Sequence, residues 1–327
     1  MEVNGVSYSS DKKLRRCEQQ FFYRYSEHLK IRVKKKGLFM GDILHRLLEA
    51  YRRKKDWKKV FDTWKKDEWD KLFDEEREMY QEKNLTPELV FDLMSHYVEH
   101  WEPQDEKLKP LYIERDFVLR TKAGLIVRFK SDYIATDGKL KILFENKNKE
   151  KIPESNERIL DPQVHAYCYL LSKLPEPIKI DRIVWDYVRT DPVPVPELTK
   201  KGEISKRKIN TDQRTYLRFL KENKIHPKTV DEATGIHNYV ATLPETLSLQ
   251  RVINRPNLKI GELFVRDWVE RANRAKAIIR PTRNWDRTCA WSCDYKELCE
   301  ADMLGKPDRN TIIKANYLVS IKGVDEK

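Results

Sequence analysis

Apolar positions along this chain keep a helical rhythm for its first hundred residues and then change period. Leu14, Cys17, Phe21 and Phe22 recur on one side of a stretch opened by Ser9 and Ser10, either of which can cap it, so a helix is predicted over 8–25. Residues 39–104 read as helical nearly throughout, with charged faces and breaks near Asp56 and at Asn84-Leu85-Thr86-Pro87. Short apolar-rich stretches then predict strands at about 111–120, 124–134, 140–147 and 179–189, with a helix over 157–173 between the last two. A strand, a helix and a strand in that order imply a right-handed crossover and a parallel pair. Pro192, Pro194 and Pro196 force an extended passage, and further helices are predicted over 211–224 and 261–277. The pattern describes an α/β core with helical additions at both ends of the chain and no internal repeat.

Composition narrows the class. The 327 residues suffice for one elaborated domain, and eight Trp with fifteen Tyr argue against disorder even though charged residues make up 36%. A net charge of +12 favours a polyanionic partner, nucleic acid before an anionic membrane. No apolar run approaches the roughly 18 residues of a membrane span, and Met-Glu-Val-Asn-Gly opens no signal-peptide core, so a soluble, cytoplasmic protein is expected. Half of the excess charge lies in residues 200–224, where nine Lys or Arg face three acids. There Tyr216 and Phe219 interleave with Arg214 and Arg218, a mix that suits a phosphate track with base stacking. Lys206, Arg207 and Lys208 extend that candidate DNA-binding surface, whose plainer reading is a solvated helix.

Chemistry concentrates between Asp132 and Tyr167. Asp132 closes Gly-Leu-Ile-Val-Arg-Phe-Lys-Ser-Asp, and Glu145 and Lys147 close Leu-Lys-Ile-Leu-Phe-Glu-Asn-Lys. On a strand, Glu145 and Lys147 share a face; on a helix, so do Gln163 and Tyr167. Two carboxylates beside an ammonium can hold a divalent ion and ready a water for attack on a phosphodiester. Each residue alone also fits a turn, a strand edge or a helix face; Glu114 reads equally as an auxiliary acid or an exposed strand carboxylate. His45, among Ile43, Leu44, Leu47 and Leu48, has a packed core histidine as its plain reading. Cys289, Cys293 and Cys299 lie within eleven residues, close enough to converge on one metal centre, and their spacing leaves zinc and an iron–sulfur cluster open.

Taken in order, these residues resemble a RecB-family nuclease of the PD-(D/E)XK superfamily, in its iron–sulfur branch. That branch includes the AddB nuclease domain, CRISPR-associated adaptation nucleases and relatives in phage recombination modules. The resemblance runs through Ser9-Ser10, Leu14, Cys17 and Phe21 to Tyr25, then Gly41-Asp42-Ile43-Leu44-His45, Asp132, Glu145 with Lys147, Gln163 with Tyr167, and the three closing cysteines. The last cysteines stand Cys-x3-Cys-x5-Cys where the family commonly has Cys-x2-Cys-x5-Cys, and Ser131 replaces a Pro often found before the Asp.

The resemblance implies a restriction-endonuclease-like mixed sheet flanked by helices, with a helical insertion and a 4Fe–4S cluster joining the chain ends. Its parts would be 1–38, an N-terminal helix with the first cluster cysteine; 39–110, a helical region carrying His45; 111–190, the nuclease core; 191–280, a basic DNA-contacting region; and 281–327, the cysteine cluster and tail. His45, Asp132, Glu145 and the Asn146 carbonyl would hold Mg²⁺ or Mn²⁺, and Lys147 would orient the attacking water. Gln163 and Tyr167 would contact the DNA backbone. Cys17, Cys289, Cys293 and Cys299 would bind the cluster, with Zn²⁺ as the alternative.

The activity implied is a DNA exonuclease of phage-type recombination or repair, since no separate target-recognition domain is evident. The rival readings are a non-catalytic nucleic-acid-binding subunit and a CRISPR-adaptation trimming nuclease. No G-x-x-x-x-G-K-[S/T] loop marks an ATP motor, and a recombination or helicase partner is compatible with the sequence without being shown by it.

Overall fold

The computed structural model describes residues 5–121, 124–153, 161–205, 209–226, 240–305 and 308–319. It opens with a short strand β1 (Gly5–Val6) and helix α1 (Tyr8–Arg16). Ser7, rather than Ser9 or Ser10, caps α1: its hydroxyl accepts from the Ser10 N–H while Ser10 reaches back to the Ser7 N–H. The predicted 8–25 helix breaks at Cys17, whose backbone is extended, and resumes as α2 (Glu18–Phe21) running into a π-helical turn at Phe22–Ser26. Strand β2 (Leu29–Ile31) precedes α3 (Lys36–Arg52), α4 (Trp57–Trp64), α5 (Asp74–Gln81) and α6 (Pro87–Asp105). The two predicted breaks are present, because Asp56 caps α4 and Thr86 caps α6 with Pro87 at its first position, and a third, at residues 70–73, was not predicted.

Next come β3 (Lys109–Arg120), β4 (Ile126–Thr136), β5 (Lys141–Lys149), α7 (Pro162–Ser172), β6 (Arg182–Arg189), α8 (Gln213–Glu222), β7 (Leu249–Asn254) and α9 (Leu258–Lys276). Short helices α10 (Arg287–Ser292), α11 (Lys296–Leu304) and α12 (Arg309–Asn316) lead to β8 (Tyr317–Val319). The start of the helix predicted over 157–173 lies partly outside the described residues. No helix among the described residues is long and apolar enough to cross a membrane.

The sheet is mixed. β3, β4 and β5 pair antiparallel in sequence, β6 joins β5 in parallel as predicted, β7 closes antiparallel on β6, and β1 lies parallel to β4. Period-two alternation buries both faces. Ile134, Leu143, Ile183 and Trp185 face α7 and α9, packing on Val164, Leu171 and Trp268. Tyr133, Ala135, Phe144 and Val184 occupy the opposite face, while Val188 and Leu249 join a second core built on α3 to α6. The crossing of α7 and α9 is close enough to require Gly261, since a Cβ there would lie 2.2 Å from the His165 carbonyl oxygen. His165 itself is structural, its Nδ1 accepting from the Asn257 N–H at 3.2 Å.

Strand β7 was not predicted, and its sequence explains why. Arg251 interrupts the apolar alternation of Leu-Gln-Arg-Val-Ile-Asn yet points inward, 9% exposed, toward Asp186 and Asp105. The two chain ends meet in a second, two-stranded sheet in which Leu29, Lys30 and Ile31 pair with Val319, Leu318 and Tyr317. Tyr295 stacks on Tyr317 beneath it, and Arg309 reaches Glu27 and Asp302.

Candidate active site

Asp132 lies within β4 rather than at its end, because the strand continues through Thr136 to pair with β5. On the other side of β4, the pairs Ile113–Tyr133 and Arg115–Ser131 place Glu114 opposite Asp132. Glu114 has φ +49°, a left-handed conformation unusual for a side-chain-bearing residue and costing roughly 1–2 kcal/mol. From α3, His45 completes the group: its Nδ1 is 3.4 Å from Glu114 Oε1 and 3.9 Å from Asp132 Oδ1. One ligand atom from each of the three lies within 4.8 Å of the others. An octahedral divalent ion with ligands at about 2.1 Å brings neighbouring ligands to ~3 Å, so small adjustments would suit the set.

Glu145 and Lys147 share a face of β5, as alternation predicts. Lys147 Nζ donates to Glu145 Oε1 and to Gln163 Oε1, both at 2.8 Å, and stands 3.7 Å from Asp161 Oδ2. Gln163 in turn donates to the Tyr167 hydroxyl at 3.2 Å. The Gln-x-x-x-Tyr pair is thereby joined to the Glu-x-Lys pair through one ammonium. The second oxygen of Glu145, Oε2, is buried and has no hydrogen-bond partner among the described residues. A buried, unpartnered carboxylate oxygen is costly unless a cation meets it.

The protonation pattern follows from burial in a crowd of acids. Burial, reinforced by the charge of Asp132 and opposed by Lys147, pushes the Glu145 carboxyl up to about 7. Asp132 is raised by burial, against the pull of His45 and of the Asn146 N–H. Burial would lower His45, but the hydrogen bond to Glu114 and the charges of Asp132 and Glu114 outweigh it and raise it. Burial would likewise lower Lys147, yet Glu145 and Asp161 hold it above the usual lysine range and firmly charged. A bound divalent cation would restore the carboxylates to their ionised form.

The four predicted cluster cysteines are free and line one cavity of about 330 Å³. Gln20 Nε2 donates to Cys293 Sγ at 3.0 Å and Arg283 Nε to Cys299 Sγ at 3.3 Å. Cys17 reaches this cavity because the chain breaks helix at that position. Cys168 is instead buried in the core beside Tyr167.

The basic segment looks different from its sequence. Arg214 and Arg218 both donate to Asp92, bracing α8 against α6. Tyr216 and Phe219 are buried with Leu220 and Val240, which corrects the base-stacking expectation: the apolar stripe of α8 packs inward. Lys206, Arg207 and Lys208 lie outside the described residues. Glu114 was legible only as an ambiguous strand acid, because its pairing with Asp132 depends on strand register.

A crystal structure named "Putative exonuclease" from Eubacterium rectale is similar at 11% identity and a TM-score of 0.42, over 89% of this chain and 88% of that one. No curated protein matches. The family model described as the PD-(D/E)XK nuclease superfamily matches residues 5–300. With that match spanning the sheet, the acidic group and the Glu-x-Lys pair, this chain belongs to the PD-(D/E)XK nuclease superfamily.

Proposed function

We propose that this chain is a Mg²⁺- or Mn²⁺-dependent deoxyribonuclease, an exonuclease trimming DNA in recombination or repair and carrying a structural 4Fe–4S cluster. The observation that carries the metal reading is the half-buried set of His45, Glu114 and Asp132 beside the buried, unpartnered Glu145 Oε2. Asp132, Glu145 and His45 would hold the ion with the Asn146 carbonyl, and Glu114 adds a carboxylate that faces the same point. When bound, the metal would supply Lewis acidity toward the phosphoryl oxygen and a more acidic water. Lys147 remains protonated and is aimed by Glu145 and Gln163, so it can orient the attacking water and offset charge that builds on phosphorus. Gln163 accepts from Lys147 and donates to Tyr167, and this pair would contact the scissile phosphate.

Four thiols around one cavity, two of them receiving N–H donors, support a cluster. A single zinc ion draws its four ligands to ~2.3 Å of one point, whereas a bridged cluster occupies a cavity. The deciding experiment is degradation of end-labelled single- and double-stranded DNA by cluster-loaded protein with Mg²⁺, Mn²⁺ or EDTA. Metal-dependent release of short products from ends supports the reading. DNA binding without cleavage, equal in wild type and Asp132→Ala, would leave a binding subunit instead.

A further inference from the structure

Helix α3 carries a second residue that converges on the catalytic strand. Arg52 lies seven positions after His45, two helical turns and about 10 Å along the same face. Its side chain is 2% exposed. Arg52 Nη2 donates to the Asn146 side-chain oxygen at 2.8 Å and lies 3.3 Å from Asp186 Oδ2. The guanidinium stacks 4.5 Å from the Tyr133 ring centroid, over the strand that carries Asp132. Asp186 is shared with Arg251 and with the Tyr97 hydroxyl, and Arg251 also pairs with Asp105. The buried pair Arg52 and Asp186 thus joins the half-buried pair Arg251 and Asp105 in one cluster contributed by α3, α6, β6 and β7.

Asn146 stands between Glu145 and Lys147, and its backbone N–H donates to Asp132 Oδ2 at 2.8 Å. Its side chain points to the opposite face of β5 from theirs, where Arg52 grips it. A buried arginine is expensive to desolvate and adds little net stability over an apolar residue of its size. Its fixed, planar donor fork is instead suited to setting the position of what it holds.

We infer that Arg52 is a positioning residue, anchoring Asn146 so that Asp132, Glu145 and His45 face a common metal ion. This rests on the metal-dependent reading above. One rod, α3, then places both the histidine and the strand of the Glu-x-Lys pair, with Asp186 fixing Arg52 from behind.

The test is a double-mutant cycle of Arg52→Met and Asn146→Leu, read as Mn²⁺ affinity by calorimetry without DNA and as single-turnover DNA cleavage. Each single variant should weaken Mn²⁺ binding about tenfold, and the double variant no further than the weaker single one, because both remove one contact. Val265→Ala, in the core on the other face of the sheet, should lower the melting temperature while leaving Mn²⁺ affinity within twofold. If Arg52→Met does not fold, Asn146→Asp replaces it. That variant keeps an acceptor for Arg52 and should bind Mn²⁺ at least as tightly as wild type, while Asn146→Leu does not. Multiplicative losses in the cycle, or equal losses in Asn146→Asp and Asn146→Leu, would overturn the inference alone. A wild type that binds Mn²⁺ with the coupling intact but cuts no DNA would overturn the nuclease reading alone.

Discussion

The backbone N–H of Asn146 donates to Asp132 Oδ2 at 2.8 Å, just beyond the last residue pair of the β4–β5 ladder, Tyr133 with Phe144. Where the two strands stop pairing, a side-chain carboxylate takes over the donor that a backbone carbonyl would have received. Asp132 therefore has two duties. One oxygen holds β5 in place, and the other faces His45.

Asp132→Asn should separate these duties. The amide keeps an acceptor for the Asn146 N–H and loses the charge. We expect DNA cleavage to fall by about 10²–10³-fold with DNA affinity and the melting temperature nearly unchanged. Single-turnover cleavage alongside thermal unfolding checks this; activity within tenfold of wild type would remove Asp132 from the metal site.

Gly261→Ala should destabilise the fold. The added methyl would meet the His165 carbonyl oxygen at 2.2 Å, and the obstructing atoms are backbone. Forcing α7 and α9 apart should cost about 1–3 kcal/mol in urea unfolding. Because α7 also carries Gln163, cleavage should fall with the spacing; an unchanged unfolding midpoint would contradict the packing described.

His96 makes stability depend on pH. Burial, with the neighbouring charge of Arg214, pushes its imidazole down to about 4 from the ordinary 6.5, and its Nδ1 has no hydrogen-bond partner among the described residues. Between those values the unfolded chain binds the extra proton, so the neutral form stabilises the fold above pH 6.5, and that contribution is lost as pH falls toward 4. The difference is at most about 3 kcal/mol. Unfolding of wild type and His96→Gln across pH 4 to 8 should converge as pH falls, and parallel curves would refute the assignment.

The cysteine cavity gives a compositional test. Anaerobically purified protein should contain iron and sulfide near four of each per chain, and Cys293→Ser should abolish visible absorption. The β2–β8 ribbon and the Arg309–Glu27 pair tie the ends independently, so far-UV circular dichroism should survive the substitution. Zinc at one per chain with no iron would replace the cluster and leave the nuclease reading standing.

The local parts of this protein were legible from residue types and near spacing. Glu145 and Lys147 share a face because a strand has period two, and Gln163 and Tyr167 because a helix turns in 3.6 residues. Helix breaks at Asp56 and Thr86 and the parallel pairing of β5 with β6 follow from equally local rules. What tertiary structure decided involves partners far apart in sequence. Glu114 meets Asp132 only through the β3–β4 register. Arg251 turns a polar position inward because Asp186 and Asp105 await it, which hid β7. Tyr216 and Phe219 could have faced solvent or core on the same amphipathic helix, and the apolar partners around Val240, far along the chain, set the choice. A charge carries no local sign of whether water or another buried charge will satisfy it, and only the assembled fold supplies the answer.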